Sequence, residues 1–438
     1  MEAWQWSATQ ALSQIRNGKL TVEDYTRSLL SRIEARDAQV KAWAYLDKEL
    51  VLSRAKELDQ VPFDKRGPIH GLPIGIKDIM LTKDLPTQYN SLLYEASTPI
   101  NTDAAPVATL RQSGALIFGK LTTTEFATSK QGDWFQNRTR NAHSENHTPG
   151  GSSSGSGAAT ADFQIPIATG TQTGGSIVRP ASFNGCYGWK PTWNAISREG
   201  LAQWSMTFDT CGFFARSVDD LELMADVFRL HKNQETTPLR MKGAKIAFCK
   251  THNWPKAGNG TRSAMHTALM TLAQHGAEVA DLELPQDFAK ALDWHAVILA
   301  SEGKSSFLSH YLTNAEQLHE DIRGYVQGEV SEQDILTAYD GLAALRPHWD
   351  LIASQYDVIL TPSVPDEAPL GIDKTGDMSF CSMWTALHVP ALNIPFHHGS
   401  SGLPIGLTLV GARLTDRAVL AKGKILGRIL QQLDVENT

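Results

Sequence analysis

Residues 149–160 read PGGSSSGSGAAT, and every position from Gly150 to Gly157 is glycine or serine. Taken alone, that is the composition of a flexible tether between two domains. Its surroundings argue against a tether. The tract is followed at once by a small-residue segment, GSGAATADF (155–163), that reads as a helix, and apolar periodicity stands on both sides of it. A tether has no need to run straight into an ordered element at each end, so the tract is expected to be a working part of one fold.

Working outward, strands and helices alternate. Thr21 and Asp24 form a candidate capping box, and Val22, Tyr25, Leu29 and Ile33 recur at helical spacing, predicting a helix over 22–36. VKAWAYLD (40–47) alternates as a strand and KELVLSRAKELD (48–59) reads as a helix. HGLPIGIKD (70–78) and ALIFGKL (115–121) read as strands on either side of the helical APVATLRQSG (105–114). The same alternation continues through AKIAFCK (strand), RSAMHTALMTLAQHG (helix) and AEVADLEL (strand). Residues 286–355 are expected to be helical. YDVILTPSV, PALNIPF and PIGLTLVG follow as strands, with a closing helix over 417–433. Interleaving of this kind predicts an α/β fold, a largely parallel or mixed sheet flanked by helices.

The chain has 438 residues, 42% hydrophobic and 20% charged, as in an ordinary soluble globular protein. Its formal net charge of −7 contains no long charged run, which gives no reason to expect a nucleic-acid partner or an anionic membrane surface. The N-terminal MEAWQWSATQ has no basic n-region, and nowhere is there the run of about 18 apolar residues that a spanning helix requires. A cytoplasmic protein is expected. The four cysteines, Cys186, Cys211, Cys249 and Cys381, include no C-x-x-C pair, so neither a disulfide framework nor a zinc site is indicated.

Chemistry concentrates in a second glycine-rich loop, GTQTGGSIVRPASFNG (170–185), after the strand-like IPIAT. Successive small residues allow several backbone N–H groups to face one concavity, which is how a developing oxyanion is held, and Ser176 at the end of the run is placed to attack. Upstream, GLPIGIKDIM (71–80) sets Lys77 in an apolar strand. Desolvation there favours the neutral amine, a usable base.

With the glycine/serine tract, the GGS loop, the strand lysine and the NGCYGWKPT that follows the loop in this order, the chain resembles the amidase signature family. The likeness is sharpest over 68–225 and continues more weakly through YDVILTPSVPDEAP, VPALNIPF and GLPIGLTLVG. It implies one compact α/β/α domain spanning 1–438, a central mixed sheet flanked by helices, with 68–225 as an embedded core. The 286–355 region is then expected to form a cover over the active site or a dimer contact. The resemblance also implies that Ser176 is the nucleophile, that Ser152 is a bridging serine joined to Gly151 by a cis peptide bond, and that Lys77 is the general base. In the resulting relay Lys77 acts through Ser152 on Ser176, and the N–H groups of Thr173, Gly174, Gly175 and Ser176 are the candidate oxyanion donors. No cofactor and no metal ligand set are expected, and the lysine relay makes a histidine base unnecessary.

Other residues have two readings each. Arg179 either holds a substrate carboxylate, as in some branches of the family, or pairs with a loop carboxylate such as Asp209. Trp204, Met206 and Trp384 either line an apolar acyl or leaving-group pocket or belong to the core. Ser154 either hydrogen-bonds near the relay or shapes the tract, and His388, where the family usually has glycine, is either packed and hydrogen-bonded or narrows and polarises the site; Asp78 alone has one reading, a structural role orienting loops or taking a backbone N–H. The expected activity is hydrolysis of small or aryl amides through an acyl-enzyme, with carbamates and esters open to the same chemistry. The expected partner is a small-molecule amide or carbamate, and the chain a monomer or homodimer. The alternative is a glutamine-hydrolysing subunit of a tRNA-dependent amidotransferase complex, although SREGLAQWSMTFDTCGFF (197–214) departs from that branch's wording.

Overall fold

A computed structural model describes residues 2–128, 138–230 and 238–436, with side chains through 431. The strands are β1 (Trp43–Tyr45), β2 (Pro73–Lys77), β3 (Leu116–Leu121), β4 (Ile167–Gln172), β5 (Tyr187–Lys190), β6 (Thr210–Ala215), β7 (Lys245–Cys249), β8 (Glu278–Leu282), β9 (Val358–Pro362), β10 (Ala391–His398) and β11 (Pro404–Val410). The helices are α1 (Ala8–Arg16), α2 (Val22–Val40), α3 (Lys48–Asp59), α4 (Ala105–Gln112), α5 (Ser154–Ala161), α6 (Val178–Asn184), α7 (Val218–Val227), α8 (Asn259–Gln274), α9 (Ala291–Asn314), α10 (Glu320–Gln327), α11 (Glu332–Ala353), α12 (Ser379–Ala386) and α13 (Asp416–Glu436). The described strands form one mixed sheet in the order β1-β3-β2-β4-β6-β5-β10-β11-β9-β7-β8. Four neighbour pairs are parallel: β2 with β3 and β4, and β7 with β8 and β9.

Strands β2, β3, β4, β6 and β9 are buried along their whole length, so they read as continuous apolar or small-residue runs. Successive side chains serve opposite faces. Ile117 of β3 joins one apolar cluster with Val107 and Leu110 of α4 and Leu221 of α7, while Leu116 and Phe118 join another with Tyr25 and Leu29 of α2 and Ala158 of α5. Helices therefore cover both faces. Among the described residues no helix is long and apolar enough to cross a membrane.

Helix α2 starts as the sequence predicts, with the Thr21 hydroxyl accepting from the Asp24 N–H at 2.9 Å. It runs four residues beyond the expected end, to Val40, where Lys41 adopts left-handed φ 54°. That extension takes Val40 from the strand expected over 40–47, leaving only Trp43–Tyr45 as β1. The 286–355 region forms α9, α10 and α11 after a short turn at Gln286–Lys290.

The glycine/serine tract is packed, and its second half is the first turn of α5. A Cβ on Gly155 would lie 2.3 Å from the Ala42 carbonyl oxygen and 2.6 Å from the Thr122 nitrogen, so helix and strand approach too closely for any side chain. Because β2 and β4 are parallel neighbours, their carboxyl ends emerge at the same edge, and the N-terminus of α5 lies beside them.

Candidate active site

Lys77 is the last residue of β2, and its side chain is fully buried. Its Nζ lies 2.7 Å from Ser152 Oγ and 2.7 Å from Thr171 Oγ1 of β4, and its own N–H is held by Thr169 Oγ1 at 2.9 Å. Burial pulls the amine down from its ordinary 10.5 to about 7, opposed by the nearby Asp209 carboxyl and the Cys211 thiol. Near neutral pH the neutral amine is therefore well populated. The Gly151–Ser152 peptide bond is cis. Ser153 and Ser156, behind Ser152, bond to β4 carbonyls at Thr171 (3.3 Å) and Thr169 (2.8 Å), which ties the tract to the strand.

The chain leaving β4 turns through residues 173–177 into α6. Gln172 fixes that turn. Its Oε1 accepts from the N–H groups of Ile177 and Val178 at 2.8 and 3.0 Å, and its Nε2 donates to Thr385 Oγ1 at 3.0 Å. The N–H groups of Thr173, Gly174, Gly175 and Ser176 donate to no turn, loop or side-chain acceptor among the described residues. Four free donors in one small-residue turn make a site for an anionic oxygen. Space at 175 is tight, since a Cβ there would lie 3.0 Å from the Cβ of Cys381 and 3.1 Å from that of Met378.

Ser176 follows these donors and is 7% exposed. Its hydroxyl has no hydrogen-bond partner among the described residues, so of the two contacts the expected relay needs, Lys77–Ser152 is made and Ser152–Ser176 is not. Asp209, at the start of β6, ties the loops together: Oδ1 accepts from Thr173 Oγ1 at 2.5 Å, and Oδ2 from the N–H groups of Trp204 and Ser205 at 2.8 and 3.1 Å.

A small cavity beside these residues is lined by Thr171, Thr173 and Asp209 and by the apolar Ile79, Ala127, Leu201, Ala202 and Trp204. Trp204 packs edge-on against Tyr325 of α10 with ring centroids 5.2 Å apart, and against Phe307 of α9. Glu302 of α9 accepts from the Thr207 N–H at 3.1 Å, from Thr207 Oγ1 at 2.6 Å and from the Ser205 hydroxyl.

The remaining expected residues separate. Trp384 does not reach the cavity: it is 1% exposed and packs on Trp349 of α11 with centroids 4.7 Å apart, because α12 turns that face into the core. Met206 is 53% exposed and lies outside the cavity lining. Arg179 does not pair with Asp209. Its Nη1 donates to the Gly376 carbonyl at 2.6 Å and its Nη2 to the Gly151 carbonyl at 2.7 Å, so the guanidinium braces the cis tract against the 375–377 loop. Ser154 Oγ reaches the Thr122 carbonyl at 3.5 Å, away from Lys77. Asp78 pairs with the buried Lys120 at 3.0 Å. His388 donates to the Thr207 carbonyl at 2.8 Å and stacks on Trp193.

Sequence reasoning overlooked Thr171 and the tie from Asp209 to Thr173. Thr169, Thr171 and Thr173 alternate along one strand face, and this period-2 threonine row was a signal for a polar wall facing the lysine. Asp209 had none, since its partner lies 36 residues away. All four cysteines are buried and free, and among the described residues no group of three or more His, Cys, Asp or Glu side chains is placed to hold a metal.

The Amidase family matches residues 24–420. A glutamyl-tRNA(Gln) amidotransferase subunit from Lysinibacillus sphaericus is 30% identical, the match covering 94% of this chain and 93% of that protein. A solved structure described as an amidase superposes with a TM-score of 0.87 at 28% identity, covering 97% of this chain and 100% of its own. A peptide amidase in complex with the competitive inhibitor chymostatin superposes with a TM-score of 0.82 at 25% identity over 98% of each chain. Sequence, fold and comparisons agree: the chain belongs to the amidase signature family of amide C–N hydrolases.

Proposed function

We propose that the protein is a serine amidase that cleaves small or aryl amides to a carboxylic acid and an amine or ammonia. The observation behind this reading is a buried lysine, its amine near neutrality, 2.7 Å from a cis-peptide serine and beside four unused N–H donors that end at Ser176. Neutral Lys77 takes the Ser152 proton as Ser152 takes that of Ser176, and Ser176 Oγ attacks the substrate carbonyl. The N–H groups of residues 173–176 hold the oxyanion. As the tetrahedral intermediate collapses, the proton returns from Lys77 through Ser152 to the departing nitrogen, leaving an acyl-Ser176 ester. Water, deprotonated by the same relay, attacks that ester and frees the acid. Carbamates and esters present a carbonyl with a comparable leaving group and fit the same steps.

Ile79, Leu201, Ala202 and Trp204 give the cavity one apolar wall, which supports an apolar group on the substrate, while Arg198 and Gln203 line it as well. The contacts of Phe307 and Tyr325 with Trp204 support a cover formed by α9 and α10. A second reading, glutamine hydrolysis within a tRNA-dependent amidotransferase, is favoured by the 30% identity to the glutamyl-tRNA(Gln) amidotransferase protein.

The test is a hydrolysis panel of an aliphatic amide, an anilide, an aryl carbamate, an aryl ester, malonamate and glutamine, run on wild type and Ser176→Ala. Cleavage of the anilide or carbamate, with a loss of at least about 10³-fold in the variant, supports the amidase reading. Ammonia release from glutamine alone, or activity only after a partner is added, replaces it with the second. Undiminished turnover by Ser176→Ala sinks both.

A further inference from the structure

The free N–H groups of the 173–176 turn can serve an oxyanion only if their peptide planes are held in one orientation. In a trans peptide the C=O and the following N–H point in opposite directions, so whatever grips the carbonyl aims the N–H the other way. Three consecutive carbonyls of this turn are gripped. The Thr173 carbonyl accepts from His295 Nε2 of α9 at 2.8 Å, which aims the Gly174 N–H. The Gly174 carbonyl accepts from Thr385 Oγ1 of α12 at 2.7 Å, which aims the Gly175 N–H. The Gly175 carbonyl accepts from the Arg179 N–H at 2.9 Å, which aims that of Ser176. The third grip is a local bond at the start of α6. The first two come from side chains 122 and 211 residues away.

We propose that His295 and Thr385 are positioning residues that orient the oxyanion-binding N–H groups of Gly174 and Gly175 from behind. This rests on the reading of Ser176 as nucleophile. A carbonyl can only accept, so His295 carries its proton on Nε2. Burial holds the ring's pKa down to about 4, so it stays neutral in that tautomer across the physiological range. The ring is 1% exposed and lies on Phe208 with centroids 4.4 Å apart and planes 27° apart. Phe208 adjoins Asp209, which holds the Thr173 hydroxyl. Helix α9 thus grips the first peptide of the turn on both its carbonyl and, through Phe208 and Asp209, its side-chain side.

The test compares His295→Phe, which keeps the stacked ring and removes the donor, with His295→Gln, which keeps an N–H donor, and Thr385→Val with Thr385→Ser. The readouts are the rate at which a fluorophosphonate labels Ser176, and kcat and KM for a 4-nitrophenyl ester. His295→Phe is expected to slow labelling and kcat by about 10- to 100-fold with KM within about twofold, since losing an oxyanion donor outright costs 10²–10³. His295→Gln and Thr385→Ser should recover most of the rate. A folded His295→Phe protein with wild-type kcat, or a glutamine variant no faster than it, overturns the proposal. If His295→Phe does not fold, Thr385→Val decides: wild-type labelling overturns the proposal, and slow labelling restored by Thr385→Ser supports it. Labelling of Ser176→Ala at the wild-type rate instead refutes the nucleophile assignment, an outcome separate from any of these.

Discussion

Replacing Lys77 with methionine should destroy activity and stabilise the fold in a pH-dependent way. The side chain is fully buried, with no carboxylate in contact: its neighbours are the hydroxyls of Ser152 and Thr171. A pKa drawn from 10.5 to about 7 puts about 5 kcal/mol against the charged form in the folded state. The folded-state value is depressed, so between pH 7 and pH 10.5 the unfolded chain binds the extra proton and wild-type stability rises with pH across that window. Methionine, of similar shape, removes the titration. The variant's advantage should be about 4–5 kcal/mol at pH 6.5, less whatever the two lost hydrogen bonds contributed, and by pH 10 should shrink to within about 1 kcal/mol of that hydrogen-bond loss. The assay is thermal melting of both proteins at one scan rate from pH 6 to 10, with kcat/KM measured alongside. Wild-type kcat/KM should climb with pH to a plateau above about 7, and the variant should lose about 10²–10⁴-fold. A melting-temperature difference that does not change with pH would refute the depressed pKa. Retained turnover near neutral pH would refute the role as base.

Two further perturbations probe the surroundings of the site. Gly175→Ala forces a methyl group against Cys381 and Met378, at 3.0 and 3.1 Å, and should lower kcat by about tenfold or more through displaced N–H donors while the melting temperature barely moves. A wild-type kcat would show that the turn yields without cost. Lys120→Met strips the partner, at 3.0 Å, from the buried Asp78 carboxylate. The loss should be about 3–5 kcal/mol, larger at pH 8 than at pH 5 because protonation relieves the uncompensated charge. Equal melting temperatures at both pH values would contradict it.

Much of the fold was legible because burial and periodicity are local properties. The apolar runs around Ile74 and Ile117 announce strands buried on both faces, and the spacing of Val22, Tyr25, Leu29 and Ile33 announces α2. Strands β5 and β6 were passed over: YGWK and TCGFFA are short and broken by glycine, and they become strands only because each finds a partner, β5 between β6 and β10 and β6 between β4 and β5. The reach of α2 to Val40 was missed for the same kind of reason, since its end is set by a left-handed cap at Lys41.

The sequence by itself determined the family and the residue types of the candidate site: a lysine in an apolar strand, a glycine/serine tract and a GGS loop, in an order that already pointed to this family. Each is a local signal, written in residue type and spacing. Only the tertiary structure decided which polar groups meet. It assigned Arg179 to the carbonyls of Gly151 and Gly376, sent Trp384 into the core, and brought Asp209, His295 and Thr385 onto the turn before Ser176. Those contacts span 28 to 211 residues of chain, and no period or motif encodes them. They exist because the folded sheet and its helices bring distant donors within hydrogen-bond reach of one loop, where burial leaves each polar group in need of a partner.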